Sequence, residues 1–212
     1  MTDADATDRT AVQPLDLRPV ADRLAALLDG VPDDRLDAPT PCPGMPVRRL
    51  LEHLLALTTA FRDSARKDLG PLTDTDPDDP NAATPPLPDD WRRQLRDQLA
   101  ELAEAWREPA AWRGATRAGG VDLPGEIAGV VALNEVLLHG WDLARATDQP
   151  YVADPASLRA SIDLLSQDAD DPDARAQGPF GPPVPVPADA AELAKAVALS
   201  GRSPSWTPPP GP

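Results

Sequence analysis

A chain of 212 residues with 41% apolar content can build one core of respectable size but not two comfortable ones. Its formal charge of −15 and pI near 4.4 would repel a phosphate backbone, whose binding rests on clustered Lys and Arg, so nucleic acid is excluded as a partner. No basic amphipathic helix and no run of about eighteen apolar residues marks a membrane surface or span, and the single cysteine, Cys42, rules out an internal disulfide and cannot alone build a thiolate zinc site.

The 28 prolines gather in a few stretches and leave long segments between them free to fold as helices. Residues 1–13 read as a polar, disordered leader with no hydrophobic signal segment, which makes the cytoplasm the default location. From Leu15 to Leu28, Leu17, Val20, Leu24, Ala25 and Leu28 recur at helical spacing, and Gly30 is suited to stopping that helix. A turn-rich connection, Asp33 to Gly44, leads to Pro46, which suits the first turn of a second helix reaching about Lys67. Gly70 to Asp90 is dominated by Pro, Asp, Thr and Asn and reads as a long solvated loop.

Asp89 or Asp90 can cap a third helix through Trp106, with Trp91, Leu95, Leu99 and Leu102 on one face. Trp112 to Val121 is glycine-rich and ambiguous, and Asp122-Leu123-Pro124 is expected to open a fourth helix reaching about Thr147. That helix is apolar nearly all round, which predicts a central place in a bundle. Asp154-Pro155 begins a further helix to about Gln167, and a Pro-rich loop from Asp171 to Pro187 precedes a short last helix ending near Gly201. No alternating pattern is strong enough to predict a sheet. The expectation is an all-α domain over residues 14–202, with extra short helices and Pro-rich loops, and a Pro-rich tail at 203–212.

Only two histidines exist, His53 and His139, and both fall inside predicted helices among apolar neighbours. On the second helix, at about 100° per residue, Pro46, Leu50, Leu54, Leu57 and Phe61 form the buried arc and His53 lies at its edge. On the fourth, Glu135 and His139 are four residues apart and so share a face. An ionised Glu in so apolar a helix needs a cation, a donor network or water. A divalent metal ion held by His53, Glu135 and His139 is one complete answer, since two imidazoles and a carboxylate form a normal ligand set and leave open positions for a small molecule. Asp142, three residues beyond His139, could orient its ring, whereas Asn134 is less well aimed. The plainer alternative is an i, i+4 charged pair with His53 satisfied elsewhere in the core.

Three stretches carry a resemblance: Thr40-Pro41-Cys42-Pro43-Gly44-Met45-Pro46-Val47-Arg48 with Leu51 and His53; Leu133 through Thr147 with Glu135, His139, Trp141, Asp142 and Arg145; and Phe180-Gly181-Pro182 through Gly201-Arg202-Ser203-Pro204. Together they resemble the mycothiol-dependent maleylpyruvate isomerase N-terminal family, within the DinB-like metal-binding superfamily. The resemblance implies a DinB-like four-helix bundle whose ligands are His53, Glu135 and His139, binding zinc first among candidates that include nickel, iron and manganese. It also implies mycothiol as cosubstrate. Met45 stands where relatives often have Trp. The full isomerase is expected to resemble this chain only in its N-terminal half and to continue into a sterol-carrier-like domain, so the likeness points to short, stand-alone members.

The remaining candidates each have a plain reading. Cys42 could approach the metal or simply fix a proline-rich turn. Trp141 could line a pocket or pack, and Arg145 could bind an anion or meet carbonyls at a helix end. Three functions compete: a metal-dependent thiol transferase or isomerase, a non-catalytic metal-binding or small-molecule sensing module, and a metal-dependent hydrolase. The implied partner is a small-molecule substrate or thiol. Oligomeric state stays open, a homodimer among the options.

Overall fold

The computed structural model describes residues 14–75 and 85–209. The expected leader at 1–13, part of the expected loop at 76–84 and the last three residues of the tail lie outside them. Four helices make the bundle: α1 (Arg18–Leu27), α2 (Val47–Arg66), α4 (Trp91–Arg107) and α5 (Gly125–Ala146), with a short α3 (Pro71–Asp74) after α2. Each of α1 and α2 packs against both α4 and α5, so the four close into a ring around one core. The architecture is the all-α, DinB-like bundle that the periodicity and the resemblance lead one to expect.

The face that each helix buries follows from its sequence. On α2, Val47, Leu50, Leu51, Leu54, Leu57 and Phe61 are buried, a stripe at spacings of three and four. On α4 the stripe is Trp91, Leu95, Leu99, Leu102 and Trp106. Asp90 precedes α4 but does not cap it through its side chain; its carboxylate instead takes the side chains of Arg93 and Gln94. Helix α5 is buried nearly all round, because α6 (Pro155–Ser166) packs on the side that the bundle leaves open and α8 (Glu192–Leu199) packs against α6 in turn. Helix α5 is the one described helix long and apolar enough to cross a membrane, and 78% of its most apolar stretch is buried inside the protein. Small residues permit this: a Cβ on Gly129 would sit 2.6 Å from the Trp112 ring.

The structure corrects three expectations. Ala115–Ala118 (β1) and Val121–Pro124 (β2) pair antiparallel, Ala118 opposite Val121, where no sheet was expected. Gly119 and Gly120 make the turn with φ of 60° and 75°, the left-handed pair that a two-residue hairpin requires. Asp122, Leu123 and Pro124 therefore belong to a strand, and α5 starts at Gly125. The hairpin is pinned to the end of α2, where Thr116 Oγ1 donates to Ser64 O (2.6 Å) and Ser64 Oγ to Arg117 O (2.5 Å). Finally, the expected loops contain short helices, α3 and α7 (Pro172–Gln177); Asp171 caps α7 by accepting from the amides of Asp173 and Ala174. Asp154 caps α6 in the expected way, accepting from Ala156 and Ser157 amides at 3.0 Å each.

Candidate metal centre

Where α2 crosses α5, His53 from one helix meets Glu135 and His139 from the other. Glu135 Oε2 lies 3.1 Å from His139 Nε2 and 3.7 Å from His53 Nε2, and the two imidazole rings stand edge to face with centroids 5.0 Å apart. One donor atom from each residue falls within 4.8 Å of the others. Bonds of about 2.0–2.1 Å to a tetrahedral ion place its donor atoms about 3.3 Å apart, so these two separations bracket what such a ligand set needs. The chemistry and spacing of this donor set fit a divalent cation.

The cluster is layered in depth. The side chains of His53 and Glu135 are 16% and 20% exposed, His139 only 6%, and Asp142 not at all. Solvent therefore reaches the cluster mainly from the His53 and Glu135 side. Behind His139, its Nδ1 lies 3.0 Å from Asp142 Oδ2; as the reading of residue spacing anticipated, a carboxylate one turn on orients the ring. With Nδ1 engaged there, Nε2 is the nitrogen that faces Glu135 and His53. Burial opposes charge on His139, but the hydrogen bonds and negative charge of Asp142 and Glu135 outweigh it and push the imidazole up to about 9. Burial likewise opposes ionisation of Glu135, and the two histidines overcome it, holding the carboxyl well below the usual range.

One member of the assembly has no signal in residue spacing. Arg202, in the segment after α8, donates from Nε to Asp142 Oδ1 (2.9 Å) and from Nη2 to Asp142 Oδ2 (2.9 Å). It was visible only as part of a stretch carrying a family likeness, with no periodicity to connect it with a residue sixty positions earlier.

The other candidates settle into structural roles. Arg145 donates from Nε and Nη2 to Trp206 O (3.2 and 2.5 Å), a carbonyl of the C-terminal segment rather than an anion or its own helix end. Trp141 is buried in the core. Asn134 accepts from Ser161 Oγ at 2.7 Å and so turns to α6. Met45 packs against the core, and its carbonyl takes the Thr40 hydroxyl at 2.7 Å. Cys42 fixes the same turn, its amide donating to Thr40 Oγ1 (3.1 Å) and its carbonyl accepting from the Met45 amide (3.2 Å). Its sulfur also comes within 4.8 Å of donor atoms on His139 and Asp142. Burial pushes the thiol up to about 11 against the opposing pull of the Arg202 guanidinium.

Comparison with known proteins adds a family and a fold. Residues 17–144 match the profile of the family described as "Mycothiol maleylpyruvate isomerase N-terminal domain". Two uncharacterized proteins from strains of Mycobacterium tuberculosis, MT0763 and Rv0738, are each 27% identical over 187 residues, covering 86% of this chain and 93% of theirs. The crystal structure of a mycothiol-dependent maleylpyruvate isomerase is similar in fold, with a TM-score of 0.57 at 18% identity over 89% of this chain and 88% of that one. A mutant of a mycothiol-dependent maleylpyruvate isomerase superposes with a TM-score of 0.51 at 21% identity, over 76% of this chain and 69% of that one. The likeness in fold to the first of these thus covers 88% of that isomerase chain, well past the N-terminal half over which a resemblance is expected.

Proposed function

The chain belongs to the mycothiol maleylpyruvate isomerase N-terminal domain family, and from that premise we propose that it is a metal-dependent enzyme of the thiol transferase or isomerase type. His53, Glu135 and His139 hold the ion, with zinc the first candidate and nickel, iron or manganese the alternatives. Mycothiol is the cosubstrate, and a small electrophilic molecule the partner in the reaction. The cytoplasm, where thiols are kept reduced, is its place of work.

The observation that carries this reading is the convergence of two imidazoles and a carboxylate, from two helices, at separations of 3.1 and 3.7 Å. A divalent ion there would supply Lewis acidity and lower the pKa of a thiol bound to it. The chain's own groups do the rest. Glu135 sets a negative charge between the two rings, Asp142 fixes the direction of the His139 ring, and the burial of His139 keeps water from its rear side. The partly exposed edges of His53 and Glu135 leave the front open to a thiol and its electrophile.

Metal analysis of gently purified protein beside the Glu135→Ala variant tests the centre first: close to one equivalent of ion in the wild type and a large loss in the variant are expected, and equal trace amounts in both would sink it. The chemistry is tested by mixing metal-loaded protein with mycothiol and a panel of electrophiles. Acceleration that His53→Ala abolishes is expected; rates equal to buffer across the panel would remove the enzymatic reading.

A further inference from the structure

Arg202 is a guanidinium 9% exposed at the point where the chain leaves α8. Removing such a charge from water costs several kcal/mol unless its donors are matched, and here they are. Nε and Nη2 go to Asp142, and Nη1 goes to Ser200 Oγ at 3.1 Å. The backbone is built to deliver it: Gly201 is left-handed with φ of 82°, and a Cβ there would sit 2.9 Å from the Gly181 backbone. The Arg202 amide closes the turn onto Val197 O (3.2 Å). One helical turn beyond Asp142, Arg145 grips the same segment at Trp206 O, so one face of α5 holds it twice.

The consequence lies in the hydrogen-bond accounting of Asp142. Its Oδ1 and Oδ2 both face donors, Arg202 on one side and His139 Nδ1 on the other. A carboxylate so surrounded only accepts, which keeps a hydrogen on His139 Nδ1 whether the ring is charged or neutral and leaves Nε2 as the nitrogen presented to Glu135 and His53. We infer that Arg202 is a positioning residue of the metal centre: the C-terminal segment reaches back to α5 and, through Asp142, fixes which nitrogen of His139 is offered to the ion. The inference rests on the proposed metal site, and it places a determinant of that site beyond residues 17–144, the part matching the family profile.

The test compares wild type, Arg202→Ala and Arg202→Lys, with zinc as the only probe, by competition against a chromophoric chelator. In parallel, the Nδ1–H resonance of His139 is followed in ¹⁵N-histidine-labelled, zinc-free protein, where only two histidines need assignment. Arg202→Ala is expected to weaken zinc binding by about 10- to 100-fold, the usual cost of losing a group that orients a ligand. It should also remove the slowly exchanging Nδ1–H signal. Millimolar guanidinium should restore both, a rescue that mere loosening of the fold would not give. Arg202→Lys should recover part of the loss, since an ammonium supplies the charge without the fork, and it serves as the folded comparison if the alanine variant melts. Either variant, folded and with wild-type zinc affinity and an unaltered Nδ1–H signal, overturns the inference. Should the wild type bind no zinc, the metal reading fails, and the Nδ1–H signal in zinc-free protein still judges the role of Arg202.

Discussion

Zinc affinity should depend on pH in a way set by His139. An ion takes the lone pair of a neutral imidazole, yet Asp142 and Glu135 keep this ring protonated up to about 9, against the opposing effect of burial. At pH 7 the ion must displace that proton across a gap of about 2 pH units, a penalty of about 2.7 kcal/mol or 100-fold in affinity. The apparent association constant should therefore rise about tenfold per unit from pH 7 to 8.5 and level off above about 9. Titration calorimetry in two buffers of different ionisation enthalpy counts the protons directly, and at pH 7.5 close to one should leave His139 for each zinc bound. An affinity flat between pH 7 and 8.5, with no proton release, would refute the electrostatic account of the cluster.

Three further outcomes can be checked. Because the folded-state pKa of His139 is raised from 6.5 to about 9, its stabilisation is complete below pH 6.5 and lost as pH rises through 9; the melting temperature of metal-free protein should fall across that window, by the equivalent of up to about 3 kcal/mol. Saturating zinc should abolish the decline, and a rising melting temperature in metal-free protein would contradict the sign. Gly129→Ala drives a Cβ to 2.6 Å from a Trp112 ring that is held by its own Nε1–H bond to Trp106 O (2.7 Å). Overpacking of about 1–3 kcal/mol outweighs about 1 kcal/mol of helix propensity, so calorimetry should show melting a few degrees lower, and no change would mean that the ring yields freely. Cys42, with its thiol pushed up to about 11 by burial, should alkylate with iodoacetamide far more slowly than a free thiol at pH 7.5, and Cys42→Ala should keep zinc affinity within a few-fold; a large loss would make the sulfur a ligand.

The long helices were legible because packing and periodicity agree: the stripe expected on α4 is the one the structure buries, and on α2 Leu50, Leu54, Leu57 and Phe61 are buried as expected, whereas Pro46 stands exposed at the N-cap and Val47 takes its place in the core. The apolar circumference of α5 likewise announced a central helix, since both the bundle and the outer layer of α6 and α8 need something to cover. Four-residue strands are too short to declare an alternation, and the hairpin's only signal was Gly119-Gly120, read as irregularity rather than as a turn. The helix α7 hid in a proline-rich stretch, betrayed only by Asp171 at its cap. At the candidate site, His53, Glu135 and His139 stood out because polar groups in apolar helices require partners. Helical spacing reached as far as Asp142 and stopped there. Arg202 lies on no common periodic element with it, and a pairing made by the return of the chain after α8 leaves no trace in local pattern.

Those buried charges also bear on which ligand the centre would accept. Without an ion, Asp142 is balanced by Arg202 and Glu135 by the proton on His139, so these four groups are together neutral and their burial is tolerable. Exchanging that proton for a divalent cation leaves one unit of positive charge in a site that solvent reaches mainly at the His53 and Glu135 edges. An uncompensated charge in such a place is costly, and a monoanion bound to the ion removes the cost. A thiolate meets that requirement where a neutral alcohol or amine does not. Charge balance among this chain's own residues therefore favours an anionic ligand, a requirement that the proposed thiolate meets and that a metal-bound hydroxide would meet as well. Arg202 is central to the same balance: without it the loaded centre would already be neutral, and the preference for an anionic ligand would disappear with the ion pair that orients His139.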